Sequence, residues 1–383
     1  MSHLRTDAFL SGLGVEVDPS AIESALVDLW GPAAQRVGGP EVENPPVTRV
    51  VLANLVVEAD ASRLPLIAKT LETIVGRFPC RAIVVVRTEE PGRAVRAEVA
   101  ALCHLPAPGM PQVCSERIVL SAGPDALELV TGAVRPLLEP DMPVVLWWTD
   151  DPRRAPTLYR ALAAEATRVL LDLEESASDA LAHALRPELN PFIRDTAWFG
   201  LTPWRELIAQ CFEGPGRLSL LERIRRVEVL ALAPPGLDHP PRAAVWLGAW
   251  LAGQLGWTLE STARTSGPNG PRLDARFHSP SGAVDLLLAS EIASGLVDPR
   301  VVEVRLTKTD EAGSTRIRFA RDPRDSACVR VEIADDHAEE PTRLVDLPIT
   351  TPARKISAGL ESARHDLPFQ HAAPIALALL ASR

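Results

Sequence analysis

The densest reactive chemistry in the chain lies between two cysteines, in Cys103-His104-Leu105-Pro106-Ala107-Pro108-Gly109-Met110-Pro111-Gln112-Val113-Cys114. Three chemistries fit these residue types. As a disulfide, Cys103 and Cys114 would close a ring over ten intervening residues and constrain the loop. As a metal site, Cys103, His104 and Cys114 supply only three ligands, and adjacent Cys-His is an awkward pair for one tetrahedral ion. As packing, both thiols are small hydrophobes beneath a loop stiffened by Pro106, Pro108 and Pro111. The segment follows a stretch read as helical and precedes a strand, and an irregular connection of that length suits binding.

Tryptophan supplies the other candidates. On a strand, Trp147 and Trp148 point to opposite faces, so one helix cannot cover both. One is expected in the core, and Trp148 either lines the sheet's crevice or serves as a recognition platform. In Leu201-Thr202-Pro203-Trp204-Arg205, Thr202 reads as a helix cap and Arg205 falls in the first turn. A cation is disfavoured there by the helix dipole, so Arg205 is either solvated or matched by a carboxylate or partner.

Alternating strands and helices must position these groups. Val50–Val57, Ile83–Val86, Arg117–Leu120, Val144–Trp147 and Val169–Leu171 read as strands buried on both faces. Between them Leu64, Ile67, Leu71 and Ile74, then Leu127, Val130, Val134 and Leu137, repeat at a helical period. That alternation predicts a doubly wound, Rossmann-like α/β domain with a parallel sheet. After Gly214-Pro215-Gly216 the runs alternate apolar and polar residues, which predicts a C-terminal α+β domain with a largely antiparallel sheet. The expected division is 1–46 as an N-terminal helix and linker, 47–213 as the α/β domain with a trailing helix, and 217–383 as the α+β domain. In the first segment Asp18-Pro19 caps a helix whose Ile22, Leu26, Leu29 and Trp30 share a face, with Trp30 expected to dock on the body or on a partner.

Composition narrows the function classes. Forty Lys plus Arg against fifty Asp plus Glu leave a net charge of −10, which argues against nucleic-acid or anionic-membrane partners. The longest apolar runs are about half of what a bilayer needs, and Met1–Val17 lacks a signal-peptide pattern. An odd five cysteines do not make a secreted framework, so a cytoplasmic location is expected. A dinucleotide fold needs glycines after its first strand, because they let the backbone approach pyrophosphate. Here that turn is Val57-Glu58-Ala59-Asp60-Ala61-Ser62, with no glycine and two carboxylates that would repel phosphate. No Walker loop, His-Glu-x-x-His or Gly-x-Ser-x-Gly occurs. No catalytic, cofactor-binding or metal-ligating residue is therefore assigned, and no cofactor is expected.

Taken together, Cys103–Ile118, Pro136–Trp148 and Asp195–Phe212 resemble the glucose-6-phosphate dehydrogenase assembly protein family, OpcA. The likeness covers roughly Val47 to Phe212; beyond Gly216 only the two-part layout matches. The resemblance implies a non-catalytic partner that binds the glucose-6-phosphate dehydrogenase oligomer and favours its active form. For cysteine-bearing members it implies sensitivity to thiol redox state, with thioredoxin-like reductants as further partners. Cys103 and Cys114 match the cysteine-bearing loop and form the candidate redox pair, while Cys80, Cys211 and Cys328 are the other thiols available. Trp147, Trp148, Trp204 and Arg205 are the candidate partner-binding residues. The competing expectation is a sugar phosphate or nucleotide in the sheet crevice, lined by Trp148, Asp150, Asp151 and Arg153.

Overall fold

Runs of Val, Ile and Leu with no polar break build the first sheet, because a strand covered on both faces has no wet side. The computed structural model describes residues 15–29, 47–104, 112–186, 190, 192–214, 216–294, 300–311, 313–362 and 365–381. Its strands are β1 (Val15–Val17), β2 (Val47–Arg49), β3 (Asn54–Asp60), β4 (Arg81–Arg87), β5 (Val95–His104), β6 (Gln112–Ala122), β7 (Val144–Trp148), β8 (Arg168–Leu171) and β9 (Ile193–Asp195). They run β1-β5-β6-β4-β3-β7-β8-β9, with β2 beside β6. From β6 to β9 every neighbouring pair is parallel. Counting only those parallel strands in chain order, the arrangement is 3-2-1-4-5-6, the order of dinucleotide-binding sheets.

Helices packed with this sheet include α1 (Ile22–Leu29), α2 (Leu64–Val75), α3 (Leu127–Val134) and α4 (Pro156–Glu165). The periodic residues Leu64, Ile67, Leu71 and Ile74 are buried in α2, together with Thr70 and Val75. Right-handed crossovers place α2 on one face and α3 with α4 on the other, since the chain winds in opposite directions from β3. Two expectations change. The stretch before the cysteine loop, read as helical, is the strand β5, antiparallel to β6. Its Ala97 and Val99 are buried between an exposed Arg96 and a half-buried Glu98, a period of two rather than 3.6. The N-terminal helix is also no free appendage: Ile22 and Leu26 are buried, α1 packs against β5, and β1 pairs with β5. Trp30, the linker at 31–46 and the proline loop at 105–111 lie outside the described residues.

The chain divides into two compact units. The first holds the described residues up to Leu173, His183–Asp195 and Ile356–Glu361; the second holds Glu174–Ala182, Thr196–Lys355 and the described residues from Ser362 onward. The helical stretch expected to trail the α/β domain falls in the second unit, as does the Gly214–Gly216 turn expected to be the boundary.

In the second unit come α5 (Thr196–Gly200), α6 (Thr202–Cys211), β10 (Ile224–Ala233), α7 (Arg242–Gln254), β11 (Thr258–Gly267), β12 (Gly270–Ser279), β13 (Gly282–Ile292), β14 (Arg300–Asp310), β15 (Gly313–Arg321), β16 (Cys328–Asp335), β17 (Arg343–Asp346) and α8 (Leu367–Ala381). The sheet order is β11-β12-β13-β10-β14-β15-β16-β17, antiparallel throughout except where β10 meets β13. Alternation decides its faces: Val227, Val229, Leu273, Phe277, Leu286, Val304 and Phe319 are buried, and α7 lies against β10, β13 and β14. The core of this unit centres on Trp198, Trp246 and Phe369, whose rings meet at centroid distances of 4.9–5.7 Å. A cluster of this kind adds about 0.5–1.5 kcal/mol per ring pair beyond the area it buries.

Candidate functional site

In open α/β sheets ligands enter at the C-terminal strand ends, where the winding direction reverses. In the first unit that point lies between β3 and β7. The first helix after β3 would ordinarily offer free backbone amides to a phosphate. Here those amides are taken. Asp60 caps the 3-10 turn Ala61–Arg63 that leads into α2, and its Oδ1 accepts the Ser62 amide at 2.8 Å and the Arg63 amide at 3.3 Å. The Ser62 hydroxyl donates to the same oxygen at 2.5 Å. Burial works against the ionised form of Asp60, but these donors and Arg63 hold its pKa below the ordinary carboxylate value. The chain's own carboxylate fills the anion seat.

The rest of the crevice is stitched in the same way. The Thr149 hydroxyl donates to the Glu58 carbonyl at 2.9 Å, and Arg63 Nη1 donates to the Thr149 carbonyl at 2.7 Å and the Asp172 carbonyl at 3.3 Å. Below them, Arg87 bridges Glu58 and Asp150. Glu58 is fully buried, and its second carboxylate oxygen has no hydrogen-bond partner among the described residues. Burial pushes the Glu58 pKa up to about 7 despite the adjacent Arg87 guanidinium. Asp151 caps the short turn Pro152–Arg154 and pairs with Arg153 at 2.6 Å. Asp150, Asp151 and Arg153, expected to line a ligand pocket, thus spend their charges on one another and on Arg87.

The tryptophans are placed inside. Trp147 and Trp148 are 1 % and 0 % exposed, one on each face of β7. Trp148 Nε1 donates to the Asp150 carbonyl at 2.6 Å, and its ring meets Tyr159 edge-on at 4.9 Å. Trp204 is 4 % exposed. As placed, none of the three presents its ring to solvent. Strand alternation puts the two β7 rings on opposite faces, but helices cover both faces of this sheet. Arg205 is the half-exposed member of the set. Its guanidinium lies 3.7 Å from the Trp198 ring centroid, and burial pulls its pKa down to about 10 against Asp366 and Glu206. The neighbour its first-turn position calls for is therefore chiefly an aromatic face. Thr202 is not the cap of α6: Leu201 holds that position, and the Thr202 hydroxyl accepts from Arg205 Nη2 at 2.9 Å.

The cysteine segment ends two paired strands. The β5–β6 register sets Cys103 directly opposite Cys114, and Cys114 is disulfide-bonded. Cys80, Cys211 and Cys328 are free thiols. Opposed residues of an antiparallel pair stand about 4.5–5.5 Å apart at Cα, within the span of a disulfide. Among the described residues no group of three His, Cys, Asp or Glu is placed to hold a metal.

Comparison with known proteins supplies what the geometry lacks. A family model described as the glucose-6-phosphate dehydrogenase subunit N-terminal domain matches residues 71–186, and one described as the C-terminal domain of the same subunit matches 191–373. The chain belongs to the OpcA family of glucose-6-phosphate dehydrogenase assembly proteins. Curated relatives include the putative OxPP cycle protein OpcA of Nostoc punctiforme, 32% identical over 195 residues, and that of Synechocystis sp., 29% identical over 191 residues. These matches cover 50% and 49% of this chain, but only 41% and 39% of those two OpcA proteins. Among solved structures, the 3-ketoreductase KijD10 of Actinomadura kijaniata is similar at 10% identity and a TM-score of 0.48, over 86% of this chain and 96% of that one.

Two features of this site region carry almost no signal in the sequence. Arg87 as the partner of Glu58 and Asp150 is one; a charged residue ending a run of buried valines was its only signal. The other is the arginine pair Arg300 and Arg321, which 20 residues of sequence separate and the β14–β15 pairing brings together.

Proposed function

We propose that this chain is a non-catalytic assembly partner of glucose-6-phosphate dehydrogenase, binding the oligomer and favouring its active form. Family membership supports the reading, and one observation carries it: the seat a dinucleotide phosphate would take is occupied by Asp60, with its amide donors already used. A scaffold of this order whose cofactor seat is filled from within is better suited to binding another protein than to hydride transfer. To activate, it must bind the active conformer more tightly than the resting one. Each tenfold difference in affinity biases that equilibrium by about 1.4 kcal/mol.

The redox response is read from the same hairpin. Cross-linking Cys103 to Cys114 would close the mouth of the proline loop, and reduction by a thioredoxin-like protein would release it; partner affinity is then expected to differ between the two states. Neither tryptophan of β7 is needed for contact in this reading, and Arg205 is retained as a candidate contact residue. A sugar phosphate or nucleotide in the crevice is disfavoured by the paired charges there.

The deciding experiment mixes the purified chain with its cognate dehydrogenase. Co-elution and a lowered apparent KM for glucose 6-phosphate are expected. Separate elution with unchanged kinetics at saturating chain rejects the partner role. Repeating the assay under reductant, and with Cys103→Ser plus Cys114→Ser, separates the redox claim from it.

A further inference from the structure

Among the described residues, one pocket of the second unit is lined by positive charge and by no carboxylate. Arg300, Arg321 and Lys355 line it with Trp204, Thr350 and Gly200. Arg300 opens β14 and Arg321 closes β15, so antiparallel pairing, which runs out to Glu303 opposite Ala320, carries both residues to the same end of the two strands, where both line the pocket. Arg321 is anchored from behind: Nη1 donates to the Ser326 carbonyl at 3.0 Å and to the Leu347 carbonyl, and its guanidinium stands 5.2 Å from the Trp204 ring centroid. Its Nε is buried with no hydrogen-bond partner. Lys355 crosses Gly200, where a Cβ would lie 3.0 Å from Lys355 Cε; the bare glycine leaves that path open. The Thr350 hydroxyl donates to the Gly200 carbonyl at 3.2 Å, tying this wall of the pocket to the end of α5.

Several arginines of this sheet have carboxylate partners of their own. Arg318 pairs with Glu303 at 2.6 Å and Glu332 at 3.0 Å, Arg272 with Asp274 at 2.7 Å, and Arg330 with Asp322 at 3.3 Å. Arg300 and Arg321 form no ion pair among the described residues, and each stands in the field of the other. Burial first, and then Arg300, push the Arg321 pKa down. Two adjacent arginines without a counter-charge are costly unless an anion joins them. The planar fork of a guanidinium suits a tetrahedral oxyanion, which two forks can grip by charge-assisted hydrogen bonds.

We propose that this pocket binds a phosphate-class anion, either free inorganic phosphate or the phosphomonoester head of a small metabolite. The cavity is small, ≈ 30 Å³, on the scale of an oxyanion head. The site is distinct from the β3–β7 crevice and does not depend on the dehydrogenase partnership.

The test titrates the full chain with inorganic phosphate and, separately, with glycerol 3-phosphate, at ionic strength held constant with potassium chloride. Calorimetry should show saturable binding near one per chain, and thermal unfolding should shift upward with either ligand but not with chloride. Arg300→Ala removes one fork and should weaken binding at least about tenfold. Because the Arg300 side chain makes no hydrogen bond or ion pair among the described residues, that variant should melt like the wild type in phosphate-free buffer, which separates lost binding from lost folding. Tighter glycerol 3-phosphate than phosphate assigns the site to an ester, and the reverse assigns it to the free ion. Absence of saturable binding by both, or unchanged affinity in Arg300→Ala, overturns the proposal.

Discussion

The Arg87 guanidinium grips the Glu58 carboxylate across the β3–β4 pair, at a point where Glu58 has no access to water. The pair sits under the crevice in which a related fold would hold a cofactor. Its charges are balanced within the chain, with Asp150 as the second anion on Arg87.

Folded Glu58 keeps its proton up to about pH 7, against 4.5 for a free glutamate. Between those values the folded state binds the extra proton, so stability contributed by this group falls as pH rises through the window. Glu58→Gln has no proton to lose. Its stability relative to wild type should therefore rise by on the order of 1–3 kcal/mol from the acid to the alkaline side of the window. Urea unfolding at a series of pH values measures this, and a flat difference contradicts the burial-driven shift.

Asp60 behaves in the opposite sense. Its folded pKa lies below the usual 3.8, so its stabilising effect is present above that value and disappears on acidification. Asp60→Ala should cost about 1 kcal/mol at neutral pH, and Asp60→Asn should retain most of the cap. The gap between Asp60→Ala and wild type should close in acid. A gap that persists there would mean the cap is not what the substitution removed.

Trp148 is a stabilising core residue on the evidence of its burial and its bond to the Asp150 carbonyl. Trp148→Phe should cost about 1–2 kcal/mol, mostly from the carbonyl left without its donor. Dehydrogenase affinity, measured per folded molecule, should not change. A variant that unfolds like wild type but binds the dehydrogenase less well would make Trp148 a contact after all.

Reduction should lower stability where Cys114 is cross-linked. Removing the link from a ring of this size costs about 3 kcal/mol. Cys114→Ser and wild type in reductant should converge on one melting temperature, which calorimetry resolves. Cys80→Ser should leave the difference between oxidised and reduced protein intact, since Cys80 is a free buried thiol whose pKa burial pushes up to about 12.

The parallel sheet was legible in the residues because a strand wet on neither face must be apolar throughout, and Ile83–Val86 and Val144–Trp147 are. The empty glycine turn was equally plain, since Glu58 and Asp60 stand where a phosphate would need bare backbone. Periodicity also marked the buried face of α2 residue by residue. The exception is local: the residues of β5 read as helix because short apolar stretches obey both periods until a neighbouring strand selects one.

Tertiary structure alone decided the rest. Residue types place Trp147 and Trp148 on opposite faces of a strand, but only the packing of helices over both faces determines that neither ring reaches water. Arg87 meeting Glu58 and Asp150 and Cys103 standing opposite Cys114 are set by strand register, and strand pairing brings Arg300 and Arg321 to one pocket. Register depends on the fit of whole faces across the sheet, so such partners are not encoded in any local run of residues.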